Sequence, residues 1–124
     1  MAIKVRSKFE KDTVAKLEKA GVKFKYESMH IKYLLPARIY TPDIALENGI
    51  IVELKGYFRP ADRQLHRAIK EQYPELDLRF VFMNANNRIH SSSKTTYGDW
   101  CDKYGFKYAS KEIPDSWLKE KKKK

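Results

Sequence analysis

Residues 40–56 constrain the fold of this chain more than any other stretch. They read Tyr40-Thr41-Pro42-Asp43, then Ile44-Ala45-Leu46-Glu47-Asn48-Gly49-Ile50-Ile51-Val52, then Glu53-Leu54-Lys55-Gly56. Two apolar runs joined by Glu-Asn-Gly predict a β-hairpin, with the glycine available for a positive φ. Two registers compete. A two-residue Asn48-Gly49 loop sets Asp43 opposite Leu54, among Ile50, Val52 and Leu54, with no partner. A three-residue loop, with Gly49 as the left-handed bulge residue, sets Asp43 opposite Glu53. Side chains alternate faces along a strand. The second register therefore puts Ile44, Leu46, Ile50, Val52 and Leu54 on one face, and Asp43, Ala45, Ile51, Glu53 and Lys55 on the other. One face becomes all core while the other collects every charge, so the bulged hairpin is expected.

That register has a chemical consequence. Asp43 and Glu53 face the same way, and Lys55, two residues after Glu53, points to the same side. Clustered oxygen ligands suit a hard divalent cation, and Mg²⁺ typically takes one or two carboxylates while keeping its waters. An ammonium beside such a group can hold a water or a phosphate oxygen. The pattern predicts metal-assisted phosphodiester hydrolysis.

Composition narrows the substrate. The chain has 124 residues, a formal net charge of +10 and a pI near 9.6. That excess points to a polyanionic partner, nucleic acid first, although lysine-rich surfaces also serve solubility alone. The length fits one domain, expected over 1–118, followed by a basic, disordered tail over 119–124. A single cysteine, Cys101, excludes an intramolecular disulfide and fits a reducing compartment. Cys101 itself is expected to be a small buried helix residue. The N-terminus has no apolar signal region and no run reaches membrane length, so an intracellular, soluble protein is expected.

The remaining elements follow from local signals. Ser7 and Glu10 form a capping-box pattern that opens a helix to about Ala20, closed by Gly21. Its apolar stripe is Phe9, Thr13, Val14, Leu17 and Ala20. Spacing alone favours the cap for Glu10 over the alternative, a third carboxylate aimed at the hairpin's charged face. Residues 22–27 alternate as a half-buried strand, with Lys25 and Glu27 on its solvated face. Met29 to Leu35 reads as extended, and Pro36 and Pro42 keep the connector out of helix. Pro60 or Asp62 opens a helix to about Gln72, buried through Leu65, Ala68 and Ile69. Arg63, Arg67 and Lys70 give it a basic side, and His66 is a candidate phosphate contact; such residues are more often simply solvated. Leu76–Met83 is apolar on both faces, as a central strand is. Residues 84–94 read as a loop, with Arg88, His90 and Lys94 as candidate DNA contacts. Thr95 or Thr96 caps a short helix closed by Gly105. A short strand at 106–108 and a turn docking Trp117 complete the chain.

Helix, strands, a hairpin carrying Pro-Asp and then Glu-x-Lys, helix, strand: this order resembles the core of the PD-(D/E)xK nuclease superfamily. The resemblance implies an α/β (α+β) fold with a mixed central β-sheet flanked by helices. A closer resemblance, covering Arg6 to about Lys119, is to the phage endonuclease I family, whose members resolve four-way DNA junctions. It rests on Arg6-Ser7 with Glu10, Gly21-Val22-Lys23-Phe24, Tyr40-Thr41-Pro42-Asp43, Val52-Glu53-Leu54-Lys55-Gly56, Glu71-Gln72-Tyr73-Pro74-Glu75-Leu76-Asp77, Thr96-Tyr97-Gly98, and Ile113-Pro114 with Trp117.

The resemblance implies that Glu10, Asp43, Glu53 and Lys55 are catalytic. Asp43, Glu53, Glu10 and the Leu54 carbonyl would hold Mg²⁺ or Mn²⁺, and Lys55 would orient the attacking water. It further implies branched DNA as substrate and, if the chain is phage-encoded, a place in the host cytoplasm. A homodimer with exchanged segments is also implied, in which Glu10 of one chain completes the site of the other. Lys4, Arg6, Lys8, Arg63, His66, Arg67 and Lys94 are the expected DNA contacts. Two alternatives stay open: a monomeric enzyme that nicks duplex or mismatched DNA, and a basic DNA-binding module without catalysis. This chain also departs from the family. Lys25 stands where the family has a functional glutamate, with Glu27 at a neighbouring acidic position. The connector from Pro36 to Tyr40 is shorter, and the segment beyond Trp117 is truncated.

Overall fold

Five strands form one mixed sheet. The computed structural model describes residues 7–27, 29–33 and 38–122. The sheet strands are β1 (Phe24–Tyr26), β4 (Ile44–Leu46), β5 (Ile50–Lys55), β6 (Asp77–Phe82) and β7 (Lys107–Ser110). Pairing is antiparallel from β1 through β5 and parallel from β5 through β7. β2 (Ile31–Tyr33) and β3 (Arg38–Tyr40) form a separate antiparallel pair. The helices are α1 (Lys8–Lys19), α2 (Pro60–Gln72), α3 (Tyr97–Tyr104) and α4 (Asp115–Leu118). This is the expected α+β class, a mixed sheet flanked by helices. Among the described residues no helix is long and apolar enough to cross a membrane.

The hairpin takes the bulged register. Ile44 lies opposite Val52 and Ala45 opposite Ile51, which leaves Glu47, Asn48 and Gly49 as the turn. Gly49 has φ +93° and donates its N–H to the Leu46 carbonyl at 3.0 Å. Open space surrounds the position of its absent Cβ. Backbone conformation, not crowding, therefore demands glycine there.

Local signals placed most other ends correctly. Ser7 caps α1, its Oγ accepting from the Glu10 N–H at 3.1 Å. Pro60 opens α2. Thr96 and Asp99 cap α3 reciprocally, at 3.0 and 3.1 Å, and Gly105 ends it with φ +79°. Cys101 is wholly buried.

The sheet is covered on both faces, which corrects the expectation of a charged second face. Ile44, Leu46, Ile50, Val52 and Leu54 pack with Leu17 of α1 and Trp117 of α4. On the opposite side Ile51 joins Ile69 of α2, Trp100 and Cys101 of α3, and a cage of Phe58, Phe80, Phe82 and Phe106. Each large apolar side chain so buried contributes about 1.5–3 kcal/mol. Only the far end of that second face keeps its charges.

The C-terminus differs from the expected loose tail. Arg79 of β6, 1% exposed, is forked between Asp77 at 2.8 and 2.9 Å and Glu120 at 2.5 and 3.0 Å. Asn48 of the hairpin turn donates to the carbonyls of Trp117 and Glu120 at 2.9 and 3.0 Å. A buried guanidinium needs carboxylates around it. That need ties the segment down through residue 120, two residues past the expected boundary.

Candidate active site

Asp43 enters β4 directly after Pro42, and β5 clamps it. Its Oδ2 accepts the Leu54 N–H at 2.8 Å, and its own N–H donates to Glu53 Oε1 at 3.2 Å. The Tyr40 hydroxyl donates to the same Glu53 oxygen at 2.9 Å. Lys55 Nζ lies 3.7 Å from Glu53 Oε2 and donates to Asp62 Oδ1 of α2 at 3.2 Å. The expected pairing of Asp43 with Glu53 and Lys55 is thus present, and Leu54 contributes an N–H that orients Asp43.

Two further carboxylates converge on Asp43. Glu10, on the first turn of α1, accepts from the Tyr26 hydroxyl and from Ser7 Oγ at 3.3 Å. Glu27, just past β1, has φ +51° and donates its N–H to the Asp43 carbonyl at 3.1 Å. Glu10, Glu27 and Asp43 each offer a ligand atom within 4.8 Å of the others. Glu10 is therefore not only the third residue of a cap. Both capping atoms belong to Ser7 and the Glu10 backbone, which leaves the Glu10 carboxylate turned toward Asp43.

Burial makes the group electrostatically costly. Glu10, Asp43 and Glu53 are all buried. Burial first, and the Asp43 charge second, push the Glu53 carboxyl up to about 8, although Lys55, Tyr40 and the Asp43 N–H pull it back. Burial and the same two carboxylates raise Tyr40 well above its ordinary range. Burial and Glu10 likewise raise Tyr26. Buried charges of one sign persist when paired or when they coordinate a metal, and Lys55 is shared with Asp62. An all-oxygen donor set is the kind that hard cations such as Mg²⁺ and Mn²⁺ take. The residues present fit such an ion.

The other expected contacts are dispersed. Lys8 is exposed and pairs with Asp12 at 3.1 Å. Arg63 donates to the Phe58 carbonyl at 2.6 Å, and Arg67 lies 4.4 Å from the Tyr104 ring centroid. Lys94 is exposed in the loop before α3. Lys4 and Arg6 lie outside the described residues. His66 is a correction. It is wholly buried, edge-on to Tyr40 and Phe80, with neither ring nitrogen hydrogen-bonded among the described residues, and burial lowers its pKa to about 3. It packs the core beneath the site instead of touching DNA, because α2 rolls its 66–69 face onto the sheet.

Sequence reasoning left Glu27 on a solvated strand surface. The signal was available, since Lys25 pairs with Ala45 and two residues on in each direction bring position 27 opposite Asp43. One chain brings its own Glu10 to its own Asp43, because the tight turn after α1 keeps it beside β1, which pairs with β4.

A basic α+β protein with clustered carboxylates and a lysine at one end of its sheet has the makings of a phosphoester hydrolase. Comparison with known proteins takes this further. Residues 2–124 match the family described as Phage endonuclease I. The chain is 46% identical over 120 residues to "Endonuclease I" of Escherichia phage T7, spanning 95% of this chain and 80% of that protein. It is 44% identical over 120 residues to "Endodeoxyribonuclease 1" of Enterobacteria phage T3, spanning 95% and 79%. The chain belongs to the phage endonuclease I family.

Proposed function

We propose that this protein is a divalent-metal-dependent DNA endonuclease that hydrolyses phosphodiesters in branched DNA such as four-way junctions, leaving 5′-phosphate ends. The observation that carries the reading is the convergence of Glu10, Glu27 and Asp43, with Glu53 and Lys55 beside them on β5. Asp43, Glu10 and Glu27 would hold Mg²⁺ or Mn²⁺, with Glu53 and the Leu54 carbonyl as further ligands. A divalent cation so held supplies Lewis-acid polarisation and a more acidic bound water.

The chain's own residues do the rest. Leu54 N–H and Asp43 N–H fix the Asp43 and Glu53 carboxylates before substrate arrives, so no reorganisation is needed at the moment of reaction. Lys55, steadied by Asp62, presents an ammonium to the attacking water or to the phosphate's developing charge. Lys8, Arg63, Arg67 and Lys94, with Lys4 and Arg6, contact the backbone, which positions DNA without reading its sequence. A homodimer with exchanged segments would set two such centres against one junction.

The test compares a four-way junction with linear duplex of equal length across a Mg²⁺ titration, using the parent and Asp43→Ala. Paired, symmetric cuts confined to the junction and lost in Asp43→Ala support the reading. Single nicks at random on both substrates instead indicate a monomeric nicking enzyme. A parent that binds DNA and leaves it intact at every Mg²⁺ concentration refutes catalysis.

A further inference from the structure

An open groove of about 870 Å³ lies between α2 and α3. Arg63, Arg67 and Lys70 line it from α2 and Lys103 from α3, with Glu71 as the acid among its lining residues. These cations are not loosely solvated. Arg67 and Lys103 sit over one ring, Tyr104, at 4.4 and 5.4 Å from its centroid. Lys70 lies 4.7 Å from the Phe106 centroid and donates to the Gly105 carbonyl at 3.0 Å. Arg63 is held by the Phe58 carbonyl at 2.6 Å.

The partners of these cations distinguish them from others in the molecule. Lys16, Lys55 and Arg79 are each matched by carboxylates. Among the described residues, Arg63, Arg67, Lys70 and Lys103 have no carboxylate within ion-pair distance. Rings and carbonyls hold them in place but leave their charge uncancelled. Cations ordered in advance lose less side-chain freedom when an anion binds. From Arg63 to Lys70 the helix advances about 10 Å, so the charges form a row and not a point. The row starts beside Asp62, which holds Lys55, and leads away from the carboxylates along α2.

We propose that this groove is a second DNA-binding site, which takes the sugar-phosphate backbone of an arm extending away from the cut. The proposal rests on the reading of the protein as an enzyme that acts on DNA, and it adds Lys70, Lys103 and Tyr104 as binding residues. Its contribution is to affinity and arm placement, because a row of cations on aromatic seats contacts phosphate without reaching a base edge.

The experiment measures binding by fluorescence anisotropy in EDTA, where no cutting occurs. Labelled four-way junctions carry hairpin-closed arms of two lengths, of which only the longer passes the groove. Lys70→Gln with Lys103→Gln should weaken binding of the long-armed junction by about tenfold or more at low salt. It should also lower the slope of log affinity against log salt by about 2, one for each lost phosphate contact. Short-armed junctions should bind the variant and the parent alike. Lys11→Gln with Lys19→Gln removes the same charge from exposed positions on α1 and should leave both junctions almost unaffected. Tyr104→Leu keeps every cation but removes the ring, and should weaken long-arm binding with little change in slope. A groove variant that binds the long arms like the α1 control overturns the proposal. A parent that binds junctions but never cuts them with Mg²⁺ overturns the nuclease reading and leaves the groove standing. A parent that binds no DNA overturns both.

Discussion

Glu27→Gln discriminates best among ideas about the site, because the sequence alone left Glu27 in solvent. Its ligand oxygen lies within 4.8 Å of those of Glu10 and Asp43. At an effective dielectric near 20, two like charges at that distance repel by about 3.5 kcal/mol. The substitution removes two of the three pairwise repulsions, about 7 kcal/mol in all. Relaxation, solvent and the loss of Glu27's own contacts offset most of this, so a net stabilisation of about 1–2 kcal/mol is expected without metal. For a domain of this length 1 kcal/mol corresponds to about 4 °C in Tm, so Glu27→Gln should melt about 4–8 °C higher in EDTA. Excess Mg²⁺ should reverse the order, since the parent gains more from the ion it binds better. The half-saturating metal concentration for cleavage should rise by about 10–100-fold, the range seen even for outer partners of ligands. Scanning calorimetry in EDTA and in Mg²⁺, with a cleavage titration alongside, gives all three readings. A variant that melts with the parent in EDTA and keeps its metal dependence would show that Glu27 is only a solvated strand residue.

Four further expectations follow from individual contacts. Tyr40→Phe removes one of the donors to Glu53 Oε1; it should cost about 1–2 kcal/mol in urea melts and raise the metal requirement, and a neutral result would deny Tyr40 any positioning role. His66 is held neutral, with its pKa lowered to about 3 from the ordinary 6.5 by burial and then by Lys55. The unfolded chain therefore takes up a proton below pH 6.5 that the folded chain refuses, so His66's contribution to stability is full above 6.5 and falls as pH drops toward 3. The loss is about 1.4 kcal/mol per pH unit, and His66→Phe should flatten the parent's decline between pH 6 and 4 by that amount. Arg79→Met strips the fork from Asp77 and Glu120 and should cost about 1–3 kcal/mol, since both carboxylates stay partly in solvent, with protease cleavage after residue 118 as a second readout; protection equal to the parent's would mean that Arg79 does not dock the segment. Gly49→Ala meets no atom yet must hold φ +93°, so a loss of about 1–2 kcal/mol in thermal melts should come from backbone strain alone.

Legibility in the sequence followed how local each determinant is. The hairpin register could be read because two registers predicted opposite sortings of the same ten side chains, and only one gave a coherent apolar face. The α2 and α3 starts could be read because Pro60 and Thr96 act within one helical turn. What escaped depended on layers meeting at a distance. Ile51 looked like a passenger on a charged face until α2 and α3 covered it. His66 looked like a surface cation because helix spacing does not fix which way a helix rolls when its two flanks are both partly apolar. No local signal marks Arg79 as buried. Its burial depends on Glu120, forty-one residues on, within a lysine-rich run whose composition argued for disorder. Glu27 was legible in principle, but only after β1 had been assigned to β4, a pairing across seventeen residues that no periodicity reports.

The proposed site also accounts for how a chain with net charge +10 keeps its most acidic group where a phosphate would arrive. Long-range attraction depends on the sum of charges, and the groove cations extend it along α2. Short-range attack depends on the last few ångströms, where Glu10, Glu27 and Asp43 would repel a phosphodiester. The two ranges conflict unless a cation lies between carboxylates and phosphate. Affinity for DNA and competence to cut it are therefore separable properties of this fold. On the proposed reading the first would reside in arginines and lysines of α2 and α3 seated on rings and carbonyls. The second would reside in buried oxygens whose desolvation and mutual repulsion, which together raise the Glu53 carboxyl, favour a cation placed between them.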